Sequence, residues 1–276
     1  MFCSKKALSV MVSLKRNNKG EFQEAKGIRT RQSSFYKPDQ NETFKISRSK
    51  FSNFLDCKRC FYLDRVKGLQ EPSMPGWSLN STVDDLLKKE FDTFREQGQP
   101  HPIFKEYNLN FIPFKHEDID KWRNSLSGGI SYIDEETNLI IQGGVDDVWY
   151  NLDTKELVVA DYKAQSTTAE VEKEYYLKSQ YHQGYKTQMD IYVYILRKMN
   201  FKVSSTSYFM VCNGVKTKDK FDANMEFDIT LVDYETDTSW VESKINEMKK
   251  ILDSKKIPGY TPHCENCAYM RTGKQF

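Results

Sequence analysis

Two neighbouring apolar segments that carry acidic residues, Gly143–Val148 and Val158–Lys163, constrain the fold more than any other part of this chain. Their residue types predict two β-strands, and the segment between them, Leu152–Lys155, is rich in turn-forming residues. An antiparallel pair folded about the middle of that turn places Asp146 directly opposite Asp161. The sequence therefore predicts a hairpin with two carboxylates on one face.

The same hairpin brings a lysine to these acids. Asp161 and Lys163 are two residues apart, so they point to the same face of a strand, whereas Asp147 points to the opposite face from Asp146. Directly opposed Cβ atoms lie roughly 4.5–5.5 Å apart, and carboxylates that close repel each other unless a cation intervenes. Gly144 falls opposite Lys163, which leaves room for the ammonium. This arrangement suits a hard divalent cation such as Mg²⁺, which prefers oxygen ligands and keeps waters for a phosphate substrate.

Three motifs follow one another along the chain: Gly143-x-x-Asp146, Asp161-x-Lys163 and Gln188-x-x-x-Tyr192. In this order they resemble the PD-(D/E)XK nuclease superfamily, and in particular its RecB/AddB-like exonuclease branch, over most of residues 47–270. The resemblance implies an α/β fold with a restriction-endonuclease-like core, in which a central mixed sheet is flanked by helices. Cysteine-bearing extensions at both ends would be added to that core.

The resemblance also implies roles for individual residues. Asp146 and Asp161 would bind Mg²⁺ or Mn²⁺, and the backbone carbonyl of Tyr162 would supply a further ligand. Lys163 would orient the attacking water or stabilise developing negative charge. Gln188 would complete the catalytic set.

Gln188 and Tyr192 are four residues apart on a predicted helix and share one face, which Tyr185 also shares. An amide and a hydroxyl group hydrogen-bond phosphate oxygens, and aromatic rings stack on bases. We therefore predict that all three contact nucleic acid. The alternative for the tyrosines is an aromatic-rich helix face that packs on the sheet.

Asp84 is a further candidate metal ligand. Related RecB-like enzymes often carry Gly-x-x-x-His at this place, with the histidine as a ligand, but this chain has Asn80-Ser-Thr-Val-Asp84. A carboxylate suits Mg²⁺ better than an imidazole does. The alternative is an ordinary acid in the first turn of a helix, where the helix dipole favours it.

Two Cys-x-x-Cys motifs stand at opposite ends of the predicted domain, and they consist of Cys57 with Cys60 and Cys264 with Cys267. Four thiolates from two such pairs form a tetrahedral site for Zn²⁺ or an iron–sulfur cluster. The AddB-like and CRISPR-associated exonucleases carry a 4Fe–4S cluster that joins the two ends of this fold, and we expect such a cluster ahead of zinc. Their usual pattern has a further cysteine after the second pair, and here position 273 is Gly. Free thiols are the third possibility.

The chain divides into a basic arm and an acidic body. Residues 1–50 hold 12 Lys/Arg and 4 Asp/Glu, whereas the remainder holds 29 and 35. The composition predicts that residues 1–43 are a largely disordered arm, which could contact a nucleic-acid backbone, and that residues 44–276 form a single nuclease domain. No apolar run reaches the roughly 18–20 residues that span a membrane. Together with the paired cysteines, this favours the cytoplasm of a bacterial, archaeal or virus-infected cell.

The periodicity of apolar residues predicts the order of the elements. Helices are predicted from Ser47 or Ser49, from Asn80 or Ser81 to Gly98, and over 118–126, 169–200 and 240–252. Strands are predicted over 130–134, 139–150, 156–163, 205–212 and 226–233, and a loop follows to the C-terminus.

These features together predict a metal-dependent DNA nuclease. Kinship to the RecB/AddB branch suggests an exonuclease that acts on single strands or duplex ends in repair, recombination or phage replication, with any helicase or recombination partner on a separate chain. The alternative is a non-catalytic adaptor subunit that retains the nuclease fold, which the clustered acids and lysine disfavour. An RNA nuclease is a third possibility, although no RNA-binding module is recognisable.

Overall fold

The computed structural model describes residues 14–72 and 78–276 and arranges their strands in two sheets. The strands are β1 (Phe44–Ser47), β2 (Phe111–Pro113), β3 (Ile130–Asp134), β4 (Leu139–Gly143), β5 (Asp147–Asn151), β6 (Glu156–Gln165), β7 (Thr206–Gly214) and β8 (Phe227–Glu235). The larger sheet has the order β2-β5-β6-β7-β8 and is mixed, because β6 and β7 are parallel while the other pairs are antiparallel. A smaller sheet has the order β1-β4-β3. The predicted α/β fold with a central mixed sheet is confirmed.

The helices are α1 (Arg48–Asp56), α2 (Lys58–Arg65), α3 (Ser78–Gln97), α4 (Pro102–Glu106), α5 (Ile119–Arg123), α6 (Lys173–Lys178), α7 (Gln183–Lys198), α8 (Val241–Leu252) and α9 (Glu265–Gly273). Helix α7 packs against one face of the larger sheet with α1 and α8, whereas α3 and α4 cover the other face with an aromatic cluster. Strand β6 is therefore buried on both faces from Leu157 to Tyr162, as expected for the centre of a sheet covered on both sides. In these described ranges, no helix is both long enough and apolar enough to cross a bilayer.

The prediction of one strand over 139–150 is wrong, because the chain leaves the small sheet after β4 and enters the large sheet at β5. The break lies at Gly144. A Cβ there would come within 2.8 Å of the Cα of Ser125, so only glycine lets that loop approach. The next backbone N–H, that of Val145, donates to the carbonyl of Trp122 at 3.1 Å instead of to a neighbouring strand.

The helix predicted over 169–200 is also interrupted. Helix α6 ends at Lys178, a short 3-10 turn covers Gln180–His182, and α7 begins at Gln183. The His182 ring nitrogen Nδ1 lies 2.8 Å from the carbonyl oxygen of Tyr176, and the Gln183 side chain donates to two further carbonyls at the end of α6. These side chains replace the backbone hydrogen bonds that a continuous helix would form. The predicted C-terminal loop likewise contains a helix, α9.

Part of the predicted N-terminal arm packs on the domain. Tyr36 is 2% exposed within the main core, and its hydroxyl donates to Asp253 Oδ1 at 2.6 Å. Arg29 forms an ion pair with the buried carboxylate of Asp64 at 2.7 Å. Backbone hydrogen bonds from Arg29 to Gly68 and from Tyr36 to Arg65 also hold this segment. Backbone contacts leave little trace in composition, which explains why the segment resembles a disordered arm in sequence. Residues 1–13 of the predicted arm lie outside the described residues.

Candidate active site

The β5–β6 hairpin has the register that the turn predicted. Asp147 pairs with Ala160 and Val148 pairs with Val159. Continuing this register by one residue puts Asp146 opposite Asp161. The contact is direct at the backbone, because the N–H of the following residue, Tyr162, donates to Asp146 Oδ2 at 2.9 Å.

Asp161 is the most enclosed acid of the site, with 0% of its surface exposed. Gln188, from helix α7, donates its Nε2 to Asp161 Oδ1 at 2.5 Å. Lys163 Nζ forms an ion pair with the other oxygen, Oδ2, without the geometry of a hydrogen bond. The same ammonium lies 4.6 Å from the centre of the Tyr185 ring. The structure thus brings together the acid, lysine and glutamine that the sequence singled out.

Negative charge exceeds positive charge among the side chains of this site. Burial raises the pKa of Asp161, and Asp146 raises it further against the opposing effect of Lys163. Burial alone would lower the pKa of Lys163, but Asp161 and Asp146 outweigh it and raise the pKa. An acid and a base that both hold protons more tightly indicate a local excess of negative charge. A bound cation would relieve that excess, so the donor set fits a hard divalent metal.

Asp84 reaches the same site from helix α3. Its Oδ2 accepts from Lys88 at 2.7 Å, while its buried Oδ1 has no hydrogen-bond partner among the described residues. Burial raises the pKa of Asp84, and the charge of Asp146 is the next cause. An unpaired buried carboxylate oxygen is costly and is the kind of donor that a cation satisfies. Asp84 also lines an open cleft of about 470 Å³ together with Lys163 and Tyr185.

The three candidate acids are not gathered as tightly as a filled metal site would gather them. Within the described ranges, the four paired cysteines form the one group of His, Cys, Asp or Glu side chains that is placed to hold a metal ion, and the acids do not form another. Lys88 and Lys163 contact carboxylate oxygens of Asp84 and Asp161 instead. The assignment of Asp84, Asp146, Asp161 and the Tyr162 carbonyl as metal ligands stays a prediction.

Tyr192 has a different environment from Tyr185. It is 3% exposed, its hydroxyl lies 3.3 Å from Gln188 Nε2, and its ring packs against Gly143, where a Cβ would come within 2.4 Å of the ring carbon Cε1. Such a buried ring positions Gln188 rather than presenting a face to a base. Tyr185 is only half-buried and lines the cleft, so it keeps a surface for a ligand.

Asp147 belongs to the opposite side of the sheet, as the alternation of side chains predicted. It is fully buried, and it forms ion pairs with Arg95 and with Arg123, the latter at 2.9 Å. The Tyr162 hydroxyl also donates to Asp147, at 2.9 Å. Asp147 is therefore a structural acid, and its arginine partners on α3 and α5 were not identified from the sequence. The room predicted beside Gly144 for an ammonium is filled by the backbone of Ser125 instead.

Arg48, the first residue of α1, is a site residue that the sequence did not reveal. Burial raises the pKa of Tyr192, and the nearby positive charge of Arg48 opposes that effect. The Cβ of Arg48 also lies close to the backbone of Gly143. The surrounding segment is rich in Ser, Lys and Arg, so no pattern distinguished this arginine from an ordinary surface residue.

The four paired cysteines converge, as predicted from their spacing. All four sulfur atoms lie within 4.8 Å of one another. The Sγ–Sγ distances are 3.6 Å from Cys57 to Cys267, 3.6 Å from Cys60 to Cys264 and 3.7 Å from Cys60 to Cys267. The two cysteine pairs lie about 200 residues apart in the sequence. Their convergence therefore holds the two ends of the domain together.

Each cysteine pair occupies the first turn of a helix. Cys57 precedes α2 and its sulfur accepts from the backbone N–H of Cys60 at 3.4 Å, while Cys264 precedes α9 and accepts from that of Cys267 at 3.5 Å. Helix N-termini stabilise thiolates. Cys57 and Cys267 are buried and form no disulfide, and the thiolate is the form that binds metals. The residues present therefore fit a metal site with four thiolate ligands.

A family model and a solved structure match this chain. A family model described as the PD-(D/E)XK nuclease superfamily matches residues 75–272. A crystal structure named as a "putative exonuclease" from Eubacterium rectale is similar over 82% of this chain and 87% of that chain, with 13% identity and a TM-score of 0.42. None of the curated proteins matches. Because the family model covers well over half of the sequence, the chain belongs to the PD-(D/E)XK nuclease superfamily.

Proposed function

We propose that this protein is a Mg²⁺- or Mn²⁺-dependent deoxyribonuclease that hydrolyses phosphodiester bonds. The observation that carries the proposal is the set around Asp161, in which Gln188 holds one carboxylate oxygen and Lys163 pairs with the other. Asp146 stands opposite Asp161 in the extended register. Members of this superfamily are typically metal-dependent nucleases, which agrees with the excess of negative charge at the site.

The residues have distinct proposed roles. Asp146 and Asp161 would hold the cation, with Asp84 as a third ligand on the far wall of the cleft. When bound, such a cation lowers the pKa of a water molecule and neutralises charge on the phosphate. Lys163 places a positive charge at the cleft, where negative charge develops during hydrolysis. Gln188 fixes the orientation of Asp161, and a carboxylate held in place needs no rearrangement when a ligand arrives.

The finer proposal is a RecB/AddB-like exonuclease that serves DNA repair, recombination or phage replication in the cytoplasm. Its support is the order of the three sequence motifs and the presence of cysteine pairs at both ends. We propose a separate helicase or recombination protein as its partner. The alternative, a non-catalytic adaptor, does not explain why two acids, a lysine and a glutamine converge beside an open cleft.

The test is a cleavage assay with labelled single-stranded, duplex and circular DNA in Mg²⁺, Mn²⁺ or Ca²⁺. We expect cleavage in Mg²⁺ or Mn²⁺, loss of cleavage on Asp161→Asn, and intact circular substrates if free ends are required. Cleavage of circles would contradict the exonuclease assignment, and preferential cleavage of labelled RNA would contradict the DNA assignment. Binding without cleavage in any of these metals would support the adaptor alternative.

We also propose that the four cysteines hold zinc. A tetrahedral ZnS₄ site with Zn–S bonds near 2.3 Å has sulfur atoms about 3.8 Å apart. Three of the sulfur pairs here are 3.6–3.7 Å apart, and all four atoms lie within 4.8 Å of one another. A 4Fe–4S cluster places four irons and four sulfides between the thiolates and needs a wider set. The spacing thus favours zinc over the cluster that the family resemblance suggested. Anaerobically purified protein is expected to be colourless with about one zinc per chain, and brown protein containing iron would overturn this.

A further inference from the structure

A second groove of the protein differs from the cleft in charge. It has a volume of about 970 Å³. Its floor is the outer face of the small sheet, where Lys45 and Gln142 stand on the neighbouring strands β1 and β4. Residues 31–37 form one wall, and the Ser125–Ser127 loop forms part of another. We call this feature the basic groove.

The basic groove is strongly positive. Five of its lining residues are cations and only one, Glu42, is an acid. Two of the cations, Lys50 and Arg65, contact the buried carboxylate of Asp64. The other three form no ion pair with any residue that the structure describes, and they are exposed: Arg31, Lys37 and Lys45. Their charge is therefore available to a ligand.

Two contacts connect the lining of the basic groove to segments that carry the candidate active site. Gln142 is one of the groove's lining residues, and the next residue, Gly143, packs against Tyr192 beside Gln188. Ser125, on the groove wall, contacts the backbone of Gly144. Asp146 follows Gly144 by two residues, so one short segment joins the wall of the groove to the first acid of the site.

We propose that the basic groove binds the single-stranded nucleic acid next to the scissile phosphate, an inference that rests on the proposed nuclease function. Its unpaired cations suit the phosphate backbone, and its serine and glutamine side chains suit phosphate oxygens. Leu126 stands on its wall with 97% of its surface exposed, and Phe35 lines it as well. Such apolar side chains contact bases that are free of a duplex.

The test compares two triple variants. The first replaces the groove cations Arg31, Lys37 and Lys45 with alanine, and the control replaces Lys105, Lys202 and Lys250, which are exposed and do not line the groove. Binding of a fluorescent 20-nucleotide single strand is measured in Ca²⁺ across a range of salt concentrations. Hydrolysis of thymidine 5′-(4-nitrophenyl) phosphate in Mn²⁺ is measured in parallel, because this small ester does not extend into the groove.

We expect the groove variant to bind the strand at least about tenfold more weakly at low salt, with the slope of log affinity against log salt reduced by about 2. The slope follows from three lost phosphate contacts at roughly 0.7 each. The control triple and the hydrolysis of the small ester are expected to stay unchanged. A groove variant with the same slope as the control would overturn the proposal, as would an equal loss of affinity for blunt duplex.

The outcomes separate the two proposals. Failure of the unsubstituted protein to hydrolyse any phosphodiester would remove the nuclease function, while the salt slopes would still decide whether the groove binds a strand. If the triple variant proves poorly folded by thermal unfolding, Lys45→Glu alone serves instead. This substitution reverses one exposed charge on the floor of the basic groove. An affinity for the single strand equal to that of Lys105→Glu would overturn the proposal.

Discussion

Gln188 donates a hydrogen bond of 2.5 Å to Asp161, and this contact joins helix α7 to the central strand β6 at the candidate active site. The amide of Gln188 has a second neighbour in the hydroxyl of Tyr192, one helical turn away. Both residues are almost fully buried. The side chain of Gln188 is therefore held in one orientation, and it holds one oxygen of the carboxylate in turn.

Gln188→Ala should lower kcat by about tenfold to a hundredfold, because Asp161 loses the donor that fixes its orientation. The measurement is steady-state cleavage of labelled DNA in saturating Mn²⁺, together with thermal unfolding. Thr187→Ala, one residue earlier on α7, is the matched control and should retain activity. Full activity of Gln188→Ala in folded protein would show that the hydrogen bond has no catalytic consequence.

The stability of Mg²⁺-free protein should fall as the pH rises from about 4 to about 7. Burial raises the pKa of Asp161 to about 7, so the folded state retains a proton that the unfolded chain releases near pH 4. More protons bound in the folded state mean that unfolding becomes easier as pH increases. Urea unfolding at pH 5 and pH 8 should differ by at least about 1 kcal/mol from this cause. Asp161→Asn should reduce that difference, and an unchanged pH profile would contradict the raised pKa.

Asp146→Asn and Asp147→Asn should have opposite consequences. The first should abolish metal-dependent cleavage in folded protein, since Asp146 faces the cleft acids. The second leaves the buried Arg95 and Arg123 with only Asp92 as a carboxylate partner, which destabilises the fold by about 3 kcal/mol. Isothermal titration with Mn²⁺ and denaturant unfolding distinguish the two effects. Loss of Mn²⁺ binding in folded Asp147→Asn, with binding retained in Asp146→Asn, would show that the two acids have exchanged roles.

Cys267→Ser should remove the metal from the cysteine site and destabilise the domain, because metal binding at such a site is coupled directly to folding. Metal analysis and thermal unfolding give the two readouts. Cys212→Ala is the control, since Cys212 is a buried cysteine that lies outside the set of four. A metal content in Cys267→Ser equal to that of the control would exclude a shared four-cysteine site.

Asp64→Asn should detach the segment that carries Arg29. Arg65 and Lys50 lower the pKa of Asp64 against the effect of burial, so the stabilising contribution of this carboxylate is present above its unfolded pKa and is lost as the pH falls. The substitution should cost about 3 kcal/mol, because it leaves cations without a buried partner. Limited proteolysis within residues 28–42 at pH 7 measures the release. Equal protease resistance in the variant would show that Asp64 does not fasten the segment.

The sequence predicted the active-site hairpin because the information there is local. The centre of the turn fixes which residues oppose each other, and the alternation of side chains along a strand fixes which face each one occupies. The pairing of Asp147 with Ala160 agrees with that register. Convergence of the cysteines was also predictable, since two Cys-x-x-Cys pairs share a ligand chemistry that isolated pairs do not complete.

The features that the sequence did not predict depend on contacts between distant segments. The end of β4 is decided by the approach of Ser125 to Gly144, and nothing near Gly144 signals that loop. The role of Arg48 depends on its distance from Tyr192 across the fold. Arg95 and Arg123 appear in charged helical segments, and only the tertiary structure shows that both point inward to Asp147.

Asp146 receives its hydrogen bond from the main chain of Tyr162, whereas the ring of Tyr162 lies on the other side of the sheet with Asp147. The donor that aligns Asp146 is therefore independent of which side chain occupies position 162. Tyr162→Phe would remove the phenol contact with Asp147 and leave the alignment of Asp146 untouched, while only proline, which has no N–H, would abolish that alignment directly. The side chain at position 162 can therefore be varied to change the packing on the Asp147 side of the sheet without moving Asp146 on the other side.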